Sequence, residues 1–210
     1  MNKQETDYSL YLCTDRHTNG TLTFLETVEQ AVQGGCSVVQ LREKECSTRE
    51  FFQRAADIKA VTEKYNIPLI INDRIDVCMA VNADGVHLGQ EDLPVAEARR
   101  ILGEEKIIGA SAHNLEEAVK AWKEGADYLG VGAIFGTNTK QNTVDTSIET
   151  LREICLQVPI PVVAIGGVCA ANINQLKDSG ISGVAVVSAI MAAEDPKKAA
   201  GELLMKVREM

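Results

Sequence analysis

Gln40, Arg42 and Lys44 stand two residues apart in the run Gln40-Leu41-Arg42-Glu43-Lys44. In an extended segment that spacing puts the three on one face and turns Leu41 to the other. They would form a cationic comb for a di- or triphosphate, because arginine offers a planar fork and lysine a compact charge, both matched to phosphate oxygens. A solvated loop after a strand is the plain alternative. Asp73 and Asp92 each follow a short apolar run. Brought together, two carboxylates share a hard cation with phosphate oxygens and water, the usual way a protein holds Mg²⁺. A general acid/base pair would use the same residues, and Asp92, before Leu93-Pro94, would also suit a helix cap. Taken with the comb, the metal reading is preferred.

Gly166-Gly167 and Val187-Ser188 suggest a second anion site, where backbone N–H groups and a helix N-terminus receive a phosphate. An ordinary turn and an ordinary cap are the alternatives. The segment Gly132 to Lys140 carries two glycines, two threonines and a lysine, the makeup of a flap over ligand. It lacks G-x-G-x-x-G spacing, so it makes no dinucleotide fingerprint. His87 reads as hydrogen-bonded framework, His113 as framework or an acid/base group, and His17 as chemically idle. The six cysteines contain no C-x-x-C pair, which argues against zinc and redox motifs and for small buried fillers. Cys13 and Cys169 fall near strand ends and could line a pocket.

Such residues need a frame that gathers strand ends. Eight β-rich apolar runs recur: Ser9 to Cys13, Val38 to Leu41, Leu69 to Ile71, Gly85 to Leu88, Ile107 to Gly109, Tyr128 to Val131, Pro161 to Ile165 and Gly183 to Val187. Between them lie helical patterns at Phe24 to Val32, Thr48 to Lys64, Ile75 to Val81 (short), Leu93 to Leu102, Leu115 to Lys123, Ile148 to Cys155 and Ala171 to Lys177, with a last one at Lys197 to Val207. Glycines at 34–35, 125 and 180 close helices ahead of the next strand. Near-continuous apolar strands are buried on both faces, as parallel strands under helices are. The pattern predicts an α/β fold, a single-domain (β/α)8 TIM barrel over residues 1–210, with an open doubly wound sheet as the weaker alternative. In such a barrel the site lies at the C-terminal strand ends, where Gln40, Asn72, Asp73, Asp92, Ser111 and Ser188 all fall.

A net charge of −9 repels nucleic acid and anionic lipid, so neither is expected as a partner, and any phosphate must be held by local groups. Met1 to Ser9 is polar, without the apolar core of a secretory signal, and a cytoplasmic location is expected. A homo-oligomer is left open.

The motifs Tyr11-Leu12-Cys13-Thr14-Asp15-Arg16, Gln40 to Lys44, Ile71-Asn72-Asp73-Arg74, Asp84 to Asp92, Ser111-Ala112-His113, Thr137 to Lys140 and Ala164-Ile165-Gly166-Gly167 occur in this order. Together they resemble thiamine phosphate synthase from about Tyr11 to Ser188. The resemblance implies coupling of 4-amino-2-methyl-5-hydroxymethylpyrimidine diphosphate to 4-methyl-5-(2-phosphooxyethyl)thiazole, with release of pyrophosphate. It implies that Gln40, Leu41, Arg42, Glu43, Lys44, Asn72, Ser111 and Lys140 bind the pyrimidine diphosphate, with Arg42, Lys44, Lys140 and Ser111 acting in catalysis. Asp73 and Asp92 would hold one Mg²⁺ per subunit, and Thr137, Asn138, Thr139, Gly167, Val187 and Ser188 the thiazole phosphate. Two departures stand out. Ala133 and Gly136 replace prolines usual around the Phe, which loosens the flap, and Gln141-Asn142 stands where a Lys-Asp pair is common. A thiazole tautomerase on the same fold is the nearest rival enzyme, and a non-catalytic sensor of thiamine phosphates is the rival from another class. The intact comb argues against the first and the paired aspartates against the second.

Overall fold

Short strands that are apolar on both sides pair in parallel and in chain order, β1 (Leu10–Cys13), β2 (Val38–Leu41), β3 (Leu69–Asn72), β4 (Gly85–Leu88), β5 (Ile107–Ala112), β6 (Tyr128–Val131), β7 (Val162–Ile165) and β8 (Gly183–Val186). β8 returns to pair with β1, Tyr11 opposite Ala185, so the sheet closes into a barrel. This is a computed structural model, and it describes residues 3–16, 22–136 and 145–210. Around the barrel lie α1 (Phe24–Gln33), α2 (Thr48–Lys64), α3 (Ile75–Ala80), α4 (Val95–Leu102), α5 (Leu115–Lys123), α6 (Ile148–Gln157), α7 (Ser188–Met191) and α8 (Pro196–Arg208). The fold is the predicted (β/α)8 TIM barrel. Among the described residues no helix is long and apolar enough to cross a membrane.

Local chemistry starts the helices where the periodicity expects them. Thr23 with Glu26 and Ser47 with Glu50 form capping boxes, and Asn114, Ser147 and Asp195 cap α5, α6 and α8. Alternation along the strands then divides the core in two. Outward residues such as Leu12, Val39, Leu41 and Ile71 pack against the helices, while Tyr11, Val38, Ile70, Ile107, Tyr128, Val163 and Ala185 fill the barrel. Gly109 makes room for the largest of these: a Cβ there would stand 2.1 Å from the Tyr128 ring. At the N-terminal face Arg99 of α4 ion-pairs with Asp127 at 2.6 Å and donates to the carbonyls of Gly103, Lys106 and Gly125. That clamp belongs to stability, at the end of the barrel remote from the site.

Beyond shifts of one or two residues at element ends, four departures bear on the site or its frame. The predicted helix Ala171 to Lys177 is only a 3₁₀ turn, Ile173–Leu176. Asn172 explains it, since its side chain bonds the N–H of Cys169 and the carbonyl of Gly167, offering the backbone an alternative to helix. α4 begins at Val95 instead of Leu93, because Pro94 biases the residue before it away from helical backbone. β5 runs on to Ala112 and carries Ser111 inside the sheet. β8 is followed at once by the one-turn α7, which starts at Ser188.

Candidate active site

A cavity of about 490 Å³ opens at the C-terminal strand ends. β2 delivers Gln40, and the chain leaving it delivers Arg42 and Lys44, all three on the lining. The alternation therefore persists beyond the last paired residue. Thr14, leaving β1, helps hold it: its N–H donates to the Gln40 carbonyl at 2.9 Å, and its Oγ1 accepts from the Arg42 N–H at 3.1 Å. The same alternation sends Leu41 and Glu43 away from the cavity. Leu41 is fully buried among the helix-facing residues. The Glu43 carboxylate is buried between Arg16, at 2.6 Å, and Arg54. Both residues were placed with the substrate by resemblance; neither lines the cavity, and Glu43 instead anchors the comb's backbone to the loop after β1 and to α2.

Asn72 ends β3 and Asp73 follows it with φ of 61°, left-handed backbone that Asp tolerates better than most side chains. The turn is fixed by the Asp73 N–H donating to the His87 carbonyl at 2.9 Å. Asp92 lies in the loop after β4. It does not cap α4; its Oδ2 accepts from the Gly89 N–H at 2.7 Å instead. The two carboxylates meet in the cavity beside Lys44, whose Nζ is 2.6 Å from Asp73 Oδ2. Burial first, and the adjoining Asp73 carboxylate second, push the Asp92 carboxyl above its ordinary range. Among the described residues no cluster of three or more His, Cys, Asp or Glu side chains forms a closed metal site. A two-carboxylate set open to solvent and ligand is what a hard cation that keeps water and takes phosphate oxygens requires.

The opposite wall carries Gly166, Gly167, Val187 and Ser188, which also line the cavity. Gly166 and Gly167 have φ of 100° and 63°, and a Cβ on either would strike the chain leaving β6, Ala133 in one case and the Gly136 carbonyl, at 2.6 Å, in the other. The N–H groups of Ile134 and Phe135 donate to the Ile165 and Gly166 carbonyls, both at 3.0 Å. Ile134 and Phe135 are thus strapped onto the end of β7 and the residue that follows it. Thr137, Asn138, Thr139 and Lys140 lie outside the described residues, as does His17.

The cavity floor joins motif residues to one that the motifs did not include, Tyr128. Tyr11, Tyr128 and His87 line it together with Ser111. His87 bonds Tyr128 through Nδ1 and Ser111 through Nε2, each at 3.0 Å, so the framework reading of His87 holds. Position along the strand was the available signal, since Tyr11 shares the inward face with Cys13, and Tyr128 opens β6 opposite Gly109. Cys13 is buried with its thiol pushed up to about 12 by that burial, so it stays protonated and is no nucleophile. Gln90 reaches across to donate to the Ser111 carbonyl at 2.6 Å. His113 lines the rim with Nδ1 on Glu117 Oε2 at 2.8 Å.

A barrel whose mouth gathers cationic side chains, a carboxylate pair and a glycine-lined wall around one cavity is built as a (β/α)8 enzyme. Residues 10–190 match the family profile of thiamine monophosphate synthase. The chain belongs to that family, a family of transferases. It is 56% identical over 202 residues to the thiamine-phosphate synthase of Ruminiclostridium cellulolyticum, covering 96% of each chain. It is 50% identical over 202 residues to that of Methanobrevibacter smithii, again covering 96% of each. Among solved structures, thiamine phosphate pyrophosphorylase from Pyrococcus furiosus superposes with a TM-score of 0.88 at 42% identity, over 97% of each chain. A 3-hexulose-6-phosphate synthase, at 16% identity and TM-score 0.69, shows the shared barrel alone.

Proposed function

We propose that this chain forms thiamine phosphate by joining 4-amino-2-methyl-5-hydroxymethylpyrimidine diphosphate to 4-methyl-5-(2-phosphooxyethyl)thiazole, with release of pyrophosphate. The observation that carries the reading is one cavity presenting Gln40, Arg42 and Lys44 beside Asp73 and Asp92, with the Gly167, Val187 and Ser188 cradle on the facing wall. Two phosphorylated substrates need two anion sites at a fixed separation, which this supplies. In the proposed step the bond between the pyrimidine methylene carbon and the diphosphate oxygen breaks, and its electron pair leaves with pyrophosphate. The methylene cation, delocalised into the aminopyrimidine, is captured by the lone pair of the thiazole nitrogen. Arg42, Lys44 and, by family resemblance, Lys140 bind the charge that grows on the departing oxygens, a preorganised electrostatic role. Asn72 and Ser111 position the pyrimidine end. Asp73 and Asp92 fit one Mg²⁺ per subunit, which when bound would add positive charge at the diphosphate. No protein nucleophile enters the scheme. The catalytic chemistry, the metal and a cytoplasmic setting all belong to this proposal.

The test is to incubate the purified protein with both substrates and Mg²⁺, following pyrophosphate and thiamine phosphate, with an EDTA control. Metal-dependent product is expected, and Arg42→Ala should lose most of it with unchanged thermal unfolding. Binding of both ligands without product would favour a sensor, and isomerisation of the thiazole without coupling a tautomerase.

A further inference from the structure

Five polar side chains run through the barrel interior in contact. Gln40 Nε2 donates to Tyr11 Oη at 2.9 Å. The Tyr11 and Tyr128 hydroxyls are 2.6 Å apart. Tyr128 Oη meets His87 Nδ1 at 3.0 Å, and His87 Nε2 meets Ser111 Oγ at 3.0 Å. The members come from β1, β2, β4, β5 and β6, and the rings are packed in place. Tyr128 lies 4.8 Å from the Tyr8 centroid, 5.7 Å from that of Tyr11 and 5.5 Å from that of His87, and Gly130 leaves the imidazole just enough room. Burial holds both inner tyrosine hydroxyls well above their ordinary pKa, so each has one proton to place.

With the Gln40 amide nitrogen on Tyr11, placing those protons leaves one arrangement. Tyr11 Oη already accepts from Gln40, and among the described residues its other recorded partner is the Tyr128 hydroxyl. If Tyr128 donated to Tyr11, the Tyr11 proton would have no protein acceptor among the described residues at a position only 1% exposed, which disfavours that polarity roughly tenfold or more. Tyr11 therefore donates to Tyr128. Tyr128 must then donate to His87 Nδ1, which makes Nδ1 the acceptor and puts the imidazole proton on Nε2. Nε2–H donates to Ser111 Oγ, and the serine's own proton is left to point into the cavity that Ser111 lines.

We propose that Gln40, Tyr11, Tyr128, His87 and Ser111 form a one-way hydrogen-bond relay that fixes His87 as the Nε2–H tautomer and turns the Ser111 hydroxyl outward as a donor. Tyr11, Tyr128 and His87 are then positioning residues, and they tie what two distant walls present to ligand. With Gln40 Nε2 committed to Tyr11, the amide shows its acceptor Oε1, while Ser111 shows a donor. Were the amide reversed, every bond would reverse: His87 would carry its proton on Nδ1 and Ser111 would donate to Nε2. The relay therefore matches a ligand with a donor at the Gln40 end and an acceptor at the Ser111 end. Its tautomer does not depend on the proposed reaction; only the kinetic consequence does.

The deciding measurement is a long-range ¹H–¹⁵N spectrum of the full chain labelled at histidine, with the three histidines assigned by His17→Gln and His113→Gln. An Nε2–H tautomer for His87 is expected, and Nδ1–H, or rapid exchange between the two, would overturn the proposal. Tyr128→Phe removes the donor to Nδ1 and should convert His87 to a mixture of tautomers. Kinetics then provide a cycle: Tyr128→Phe should lower kcat/KM for the pyrimidine diphosphate about tenfold in the parent and less than about twofold when Ser111→Ala is already present, because it acts through that hydroxyl. Equal losses in both backgrounds would make Tyr128 merely structural. If no variant or parent turns over, the proposed reaction fails while the tautomer result still stands for the relay.

Discussion

Glu43→Gln separates a substrate role from an anchoring role. The carboxylate is 1% exposed, whereas its partners Arg16 and Arg54 are 39% and 37% exposed. Glutamine keeps the shape, but its amide can accept from only one guanidinium and turns a donor toward the other. A lost charge-assisted hydrogen bond costs about 1.5–3 kcal/mol in a buried setting. Because both guanidiniums reach water, the loss is discounted to about 1–2 kcal/mol. For a chain of 210 residues that lowers Tm by about 2–8 °C. Differential scanning calorimetry reads the shift, and steady-state kinetics on the same preparation read its effect on the comb. The drop should shrink at high salt, since the exposed ends of the pair are screened. An unchanged Tm together with a large rise in KM for the diphosphate substrate would refute the reasoning and put Glu43 on the ligand.

Gly109→Ala should destabilise by about 1–3 kcal/mol or more and depress activity, because the new methyl lies inside the Tyr128 ring and displaces the residue that holds His87; calorimetry with kinetics checks both. Gly167→Ala forces a left-handed backbone and a collision with the Gly136 carbonyl, so KM for the thiazole phosphate should rise more than that for the pyrimidine diphosphate. Asp92 carries a raised pKa, so without metal it favours folding at pH below its unfolded value and loses that contribution as pH rises through the folded one. Mg²⁺ needs the ionised form, so the Tm gain on adding Mg²⁺ should be largest above that folded pKa and fade as pH falls through it. Asp92→Asn should largely abolish the gain at any pH.

The barrel was legible because parallel strands buried on both faces leave apolar runs, and the glycines at 34–35 and 125 mark where helices end ahead of the next strand. Where the reading slipped, a local bond outweighed periodicity: the Asn172 side chain satisfies backbone groups that a helix after β7 would have used, and Pro94 delays α4. In the site, the physical rule and the family resemblance point different ways at two residues of the run Gln40 to Lys44. Alternation turned Leu41, and by extension Glu43, away from Gln40, Arg42 and Lys44, and the structure follows the alternation. A contiguous motif therefore mixes two jobs. Its odd members build the support that its even members need to face the cavity. The relay beneath the cavity was illegible for a different cause. Tyr11, Tyr128 and His87 are separated by up to 117 residues, and no local spacing connects them. Only the closed register of the strands brings them into one bonded line. A tyrosine opening a strand reads as apolar core until the glycine opposite it, Gly109, is seen to have made room for its ring, and with it for a hydroxyl that must find a partner.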